Sequence, residues 1–270
     1  MKQLLRSYIL WTYGVFIIFL LIIGVTMMLL KAQLAAEILK VISAWTPTFV
    51  FFAMYKKNIK QDKMLQFVKT LFKQKIKIKT LLSLIFLQAA IWVVSLLFHS
   101  YMHNKSLGTL VITSGGTLFI LFLDNVVRGP LGEELGWRGF MQNELQKKFS
   151  PLKSAIIVGV LHGFWHTPLW LLSGYNGFQL VQYIIFFMIA IISLSIIVTA
   201  FYNLCHNLFI PIIIHQLFNY FLGIQTGDLL DNLTTTAIVY LITAVVFILI
   251  NYKNCLNKNR MIFNLKSYGQ

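Results

Sequence analysis

The sequence predicts an all-α fold, a polytopic membrane bundle of about eight transmembrane helices with both termini cytoplasmic. Three observations carry this. Hydrophobic residues make up 58% of the 270-residue chain and charged residues 11%, with a mean hydropathy of +0.75, far from a soluble globular composition. Several apolar runs reach the ~20 residues that cross a bilayer as helix. The runs are continuously apolar and do not alternate, which selects helices over a closed barrel.

The first run, 8–30, follows Met1, Lys2 and Arg6. It is too long for the apolar region of a cleaved signal peptide and lacks a small-residue cleavage site, so it reads as a retained helix. Further spans are expected at 34–55, 80–99, 109–127, 153–172, 178–200, 206–222 and 234–251. The bases set the orientation. With the N-terminus inside, Lys31 and Lys105 fall outside and Lys40 within a span, so 20 of the 23 Lys and Arg face the cytoplasm. The outer loop 223–233 carries Asp228 and Asp231 and no base, in keeping with the positive-inside rule.

The net charge of +15 is thus accounted for by topology, and the lipid bilayer rather than nucleic acid is the expected partner. The loop 56–79 mixes Leu65, Phe67, Val68, Leu71 and Phe72 with lysines. It reads either as an amphipathic helix on an anionic leaflet or as a solvated basic loop. Cys205 and Cys255 fall at predicted cytoplasmic helix ends, which excludes a disulfide framework. The chain divides into N-terminal helices (1–107, with the basic loop), a segment rich in polar motifs (108–225), and a last helix with a basic tail (226–270).

Only eight Asp and Glu occur in the chain, yet Glu133 and Glu134 are adjacent and lie between bilayer-length runs. Ionisable groups near hydrocarbon are costly and usually persist for chemistry, transport or a specific pairing. On a helix Glu134 faces Arg138, four residues on, in the favoured acid-before-base order. Glu133 then points elsewhere, free to take a proton from water and return it. The plainer reading is a Glu-Arg clamp.

Two later segments carry histidines, Leu161-His162-Gly163-Phe164-Trp165-His166-Thr167-Pro168 and His215-Gln216-Leu217-Phe218-Asn219. His215 and Asn219 share a helix face and suit an oxyanion site, or simple interhelical hydrogen bonding. His166 precedes Thr167-Pro168, which favours a helix break. His162 lies one turn earlier, so His-x-x-x-His with Glu133 or His215 is a possible zinc set, although no His-Glu-x-x-His string occurs. Asp124 and Arg128, four apart, read as a structural ion pair at the mouth of a cavity.

The ordered set, Glu-Glu-x-x-x-Arg, then a histidine followed by proline two residues on, then His-x-x-x-Asn, resembles the CPBP family of intramembrane peptidases (CAAX proteases and bacteriocin-processing enzymes) over roughly residues 110–225. The resemblance implies that Glu133 and His166 activate a water, that His215 and Asn219 hold the oxyanion, and that Glu134 and Arg138 support the first motif. The family usually has an aromatic where this chain has His162, which reads as a packing substitution or a polar cavity-lining group, or less readily as a metal ligand. No cofactor is expected, with zinc left open.

The expected activity is hydrolysis of a membrane-associated or bacteriocin-like peptide in a bacterial plasma membrane. A non-enzymatic immunity or peptide-binding protein is the alternative. A transporter is disfavoured by the lack of repeated halves.

Overall fold

The computed structural model describes residues 2–58 and 64–251, which are almost entirely helical. The basic tail 253–266 and Cys255 lie outside the described residues. In order the helices are α1 (Lys2–Met28), α2 (Gln33–Ala44), α3 (Thr46–Asn58), α4 (Met64–Lys73), α5 (Ile78–His103), α6 (Gly115–Arg128), α7 (Pro130–Glu134), α8 (Asn143–Gln146), α9 (Pro151–Trp165), α10 (Thr167–Leu171), α11 (Gly177–Cys205), α12 (Phe209–Gly223) and α13 (Leu229–Asn251). Between α7 and α8 the chain continues as a wider π-helical stretch, Leu135–Gln142.

Each predicted apolar run coincides with helix, but the runs differ in length and straightness. Among the described residues, α1, α5, α11 and α13 are long and apolar enough to cross a membrane alone, and α2 with α3, bent by 55°, make up to a fifth span. Helices α6, α9 and α12 have 14, 15 and 15 residues, about 22 Å at most at 1.5 Å per residue, short of the ~30 Å hydrocarbon core. The chain's own punctuation shortens them. Gly129-Pro130 ends α6, and α9 stops at His166 before Pro168 of α10. The 109–127 run is helical only from Gly115. Before it, Ile112 N–H donates to the Ile224 carbonyl at 2.9 Å and ties this end to the turn after α12.

Helix α11 packs along α9 and α13 to form one apolar core, with Leu194, Ile197, Ile210 and Ala237 inside it. A second core gathers Tyr8, Phe51, Trp137, Phe140, Met141 and Leu208 from α1, α3, the π-helical stretch and the start of α12. This second core crosses the boundary at 107 that the sequence suggests. Gly136 makes the approach possible. A methyl there would lie 2.6 Å from the Pro47 carbonyl oxygen, which itself accepts a hydrogen bond from the Tyr8 hydroxyl at 3.1 Å.

The basic loop yields a third reading. Within α4, Leu71 is buried in the second core and Phe67, Val68 and Phe72 pack partly buried against it, while Leu65 stays exposed. Leu208 N–H donates to the Leu71 carbonyl at 2.8 Å, and the Asn207 side chain donates to the Phe72 and Gln74 carbonyls. These bonds strap α4 to the corner between α11 and α12.

Candidate active site

Three elements converge. Helix α7 and the π-helical stretch bring Glu133, Glu134 and Arg138; α9 brings His162 and His166; α12 brings His215 and Asn219. Single π turns inside helices often occur at functional sites, and here the widened turn follows the two carboxylates.

Arg138 donates through Nη1 to Oε1 of Glu134 at 3.0 Å, with both side chains fully buried. The same carboxylate oxygen lies 2.7 Å from Nδ1 of His215. Glu133 is not left without a partner, as helical spacing alone suggests. Its Oε2 lies 2.7 Å from Nε2 of His162, a neighbour supplied by another helix and therefore invisible to i,i+4 arithmetic. Nδ1 of His162 is 3.3 Å from Nη1 of Arg138, so a single chain of polar contacts runs from Glu133 through His162, Arg138 and Glu134 to His215.

The remaining two residues flank this chain. His166 stands at the break after α9, half-buried, with its Nδ1 buried and unbonded. Asn219 meets Glu133 across Gly129. A methyl on Gly129 would lie 2.9 Å from Nδ2 of Asn219 and 3.7 Å from Oε1 of Glu133, so bare backbone is required between acid and amide. His162 lies among the candidates, its ring centroid 5.2 Å from that of His166 and 5.7 Å from that of His215, with its Nε2 on Glu133. Asp124 and Arg128 pair at 2.6 Å, and Glu37 of α2 joins them at 3.3 Å. That third member lies 87 residues before Asp124 and leaves no signal in local spacing.

The protonation pattern follows from the neighbours. A guanidinium only donates, so Arg138 requires Nδ1 of His162 to accept, and the ring proton sits on Nε2, donating to Glu133. A carboxylate Oε1 that already accepts from Arg138 requires His215 to donate through Nδ1. A neutral His215 then has a bare Nε2, and it donates there only as an imidazolium.

A metal is also to be weighed. Glu133, His162 and His166 offer ligand atoms within 4.8 Å of one another, in number and type a catalytic zinc set. Their surroundings do not fit one. A ligating histidine ordinarily donates its second N–H to an acceptor, whereas Nδ1 of His162 confronts a guanidinium that cannot accept.

Comparison with known proteins agrees with the motif order. Residues 113–221 match the family model described as Type II CAAX prenyl endopeptidase Rce1-like, a stretch that contains both glutamates, Arg138, both histidine motifs and Asn219. Over 203 residues the chain is 28% identical to the protein named CAAX prenyl protease 2 of Methanococcus maripaludis, covering 72% of this chain and 70% of that one. The helical architecture of the described residues, the membrane-length apolar helices and this buried Glu/His cluster agree with that similarity, which is to multi-pass membrane proteases of the CAAX type.

Proposed function

We propose that this chain hydrolyses a peptide bond by a metal-independent, glutamate-centred mechanism. Glu133 takes a proton from a water held between it and His166 as the water oxygen attacks the scissile carbonyl carbon. The carbonyl oxygen becomes an oxyanion and accepts hydrogen bonds from Nδ2 of Asn219 and from Nε2 of a doubly protonated His215. The C–N bond then breaks, and Glu133 passes its proton to the leaving nitrogen. Charge is conserved at each stage, because the carboxylate is neutralised as the oxyanion forms. Glu134 supplies the counter-charge for His215, and Arg138 holds Glu134 in place. The observation that carries this reading is the buried cluster of Glu133, His162, His166 and His215, with Asn219 beside Glu133 at Gly129.

The substrate in this proposal is a peptide or protein segment lying at the membrane of a bacterial cell. The archaeal relative's name, a CAAX prenyl protease, makes a C-terminal prenylated tetrapeptide the first probe. An unmodified peptide of the same sequence and a bacteriocin-type leader peptide are the second and third. Mass spectrometry after incubation with purified wild type and Glu133→Ala tests all three. Cleavage by wild type alone supports the assignment, and equal cleavage by the variant removes Glu133 from the reaction. A non-enzymatic immunity role would instead leave host protection intact in Glu133→Gln and His215→Ala cells.

A further inference from the structure

We infer that His162, at the position where the family usually carries an aromatic, is a positioning residue for the reaction. It holds Oε2 of Glu133 through its Nε2–H and leaves Oε1 as the oxygen that receives the proton. The inference rests on the glutamate-centred reading above and adds a residue to it.

Four observations support it. The imidazole is wholly buried, and Trp137, itself buried, stacks on it with ring centroids 5.1 Å apart and planes inclined by 27°, which holds the plane of the ring. Arg138 meets Nδ1 at 3.3 Å and, as an obligate donor, fixes the tautomer. Nε2 meets Oε2 of Glu133 at 2.7 Å. The other carboxylate oxygen, Oε1, lies toward the Gly129 backbone, the side on which Asn219 stands.

An apolar aromatic packs in this place but cannot donate. A chain that carries histidine therefore gains a hydrogen bond that sets which carboxylate oxygen is the base. It also joins the proton-handling half of the site to the oxyanion half through Arg138 and Glu134. A hydrogen bond to a charged group is typically worth about 10- to 100-fold in an equilibrium or rate.

The test compares wild type, His162→Leu and His162→Gln in steady-state cleavage of the peptide identified above, alongside melting temperatures in detergent. Leucine removes the donor while keeping the site buried. Glutamine restores a donor through its amide. The expected result is a kcat lowered about 10- to 100-fold for leucine at an unchanged KM, most of it recovered by glutamine. A leucine variant with wild-type kcat overturns the inference, as does a folded glutamine variant no better than leucine.

A second readout does not depend on turnover. ¹⁵N NMR of histidine-labelled protein, with the His162 signals identified by their loss in His162→Gln, is expected to show a bare Nδ1 and a protonated Nε2. A protonated Nδ1 overturns the inference whatever the activity. The expected tautomer in a chain that cuts none of the peptides sustains the His162 geometry and assigns the failure to the peptidase reading.

Discussion

Oε1 of Glu134 lies 2.7 Å from Nδ1 of His215, across 81 residues of chain, with the two side chains 0% and 4% exposed. The contact means that His215 presents an N–H on its far side only when it carries a full positive charge, with Glu134 as counter-ion. Glu134→Gln keeps the size and the acceptor but removes the charge. We expect kcat to fall about 100-fold or more, the scale of losing an oxyanion donor, with KM little changed. His215→Ala is expected to match it, and the double variant to lose little further, because the two act as one unit. Steady-state kinetics of the three variants checks this.

Arg138 is expected to matter for stability as well as for turnover. Removing one partner of a buried ion pair typically costs about 3–5 kcal/mol, so Arg138→Met should melt well below wild type. Combining it with Glu134→Gln removes the stranded charge, and the double variant is expected to be more stable than Arg138→Met alone. Arg138→Lys is expected to rescue poorly, since a point charge does not reproduce a guanidinium that meets Glu134 and His162 together. Thermal unfolding in detergent orders the four proteins.

Metal dependence is decided by composition and turnover together. Because Nδ1 of His162 faces a guanidinium, we expect purified active protein to hold far less than one equivalent of zinc, and strong chelator to leave its rate unchanged. Stoichiometric zinc, lost with activity on chelation and regained with it, would refute the metal-free mechanism.

Two glycines separate packing from helix propensity. Gly136→Ala drives a methyl toward the Pro47 carbonyl and the Tyr8 hydroxyl, and an overpacking cost of about 1–3 kcal/mol is expected. Gly14→Ala in α1 meets nothing within 4 Å and is expected to leave the melting temperature unchanged or slightly raised. Melting curves of the two variants side by side give the answer.

Much of this molecule is legible in its sequence because bilayer-length apolar runs and four-residue spacings are local signals. The helices α1, α5, α11 and α13 follow directly from runs of uninterrupted hydrocarbon. The Glu134–Arg138 and Asp124–Arg128 pairs lie within single helical turns, so spacing alone identifies them. What lies between helices is not legible in this way. The Glu133–His162 bond spans 29 residues, and nothing in either segment says that α9 turns this face toward α7. Glu37 joins Arg128 from a helix far earlier in the chain, and α4 folds its apolar stripe onto the second core because α3 and the α11–α12 corner stand there to receive it. The His-x-x-x-His spacing was the visible sign of His162. It marks a shared helix face, but only the arginine beside it distinguishes a hydrogen-bonding role from a metal-binding one.

The i,i+4 bond between Glu134 and Arg138 has a consequence for biogenesis. At about 5–20 residues per second, roughly 4–16 s of synthesis separate Glu134 from His215. Through that interval the nascent segment already carries its own neutralising partner one turn away, so Glu134 reaches hydrophobic surroundings as half of a dipolar couple. Glu133 has no such companion on its own helix and stays a bare charge until the hairpin bearing His162 follows it in. The carboxylate pair therefore gains its distant partners in two steps, His162 with the fifth apolar segment and His215 with the seventh.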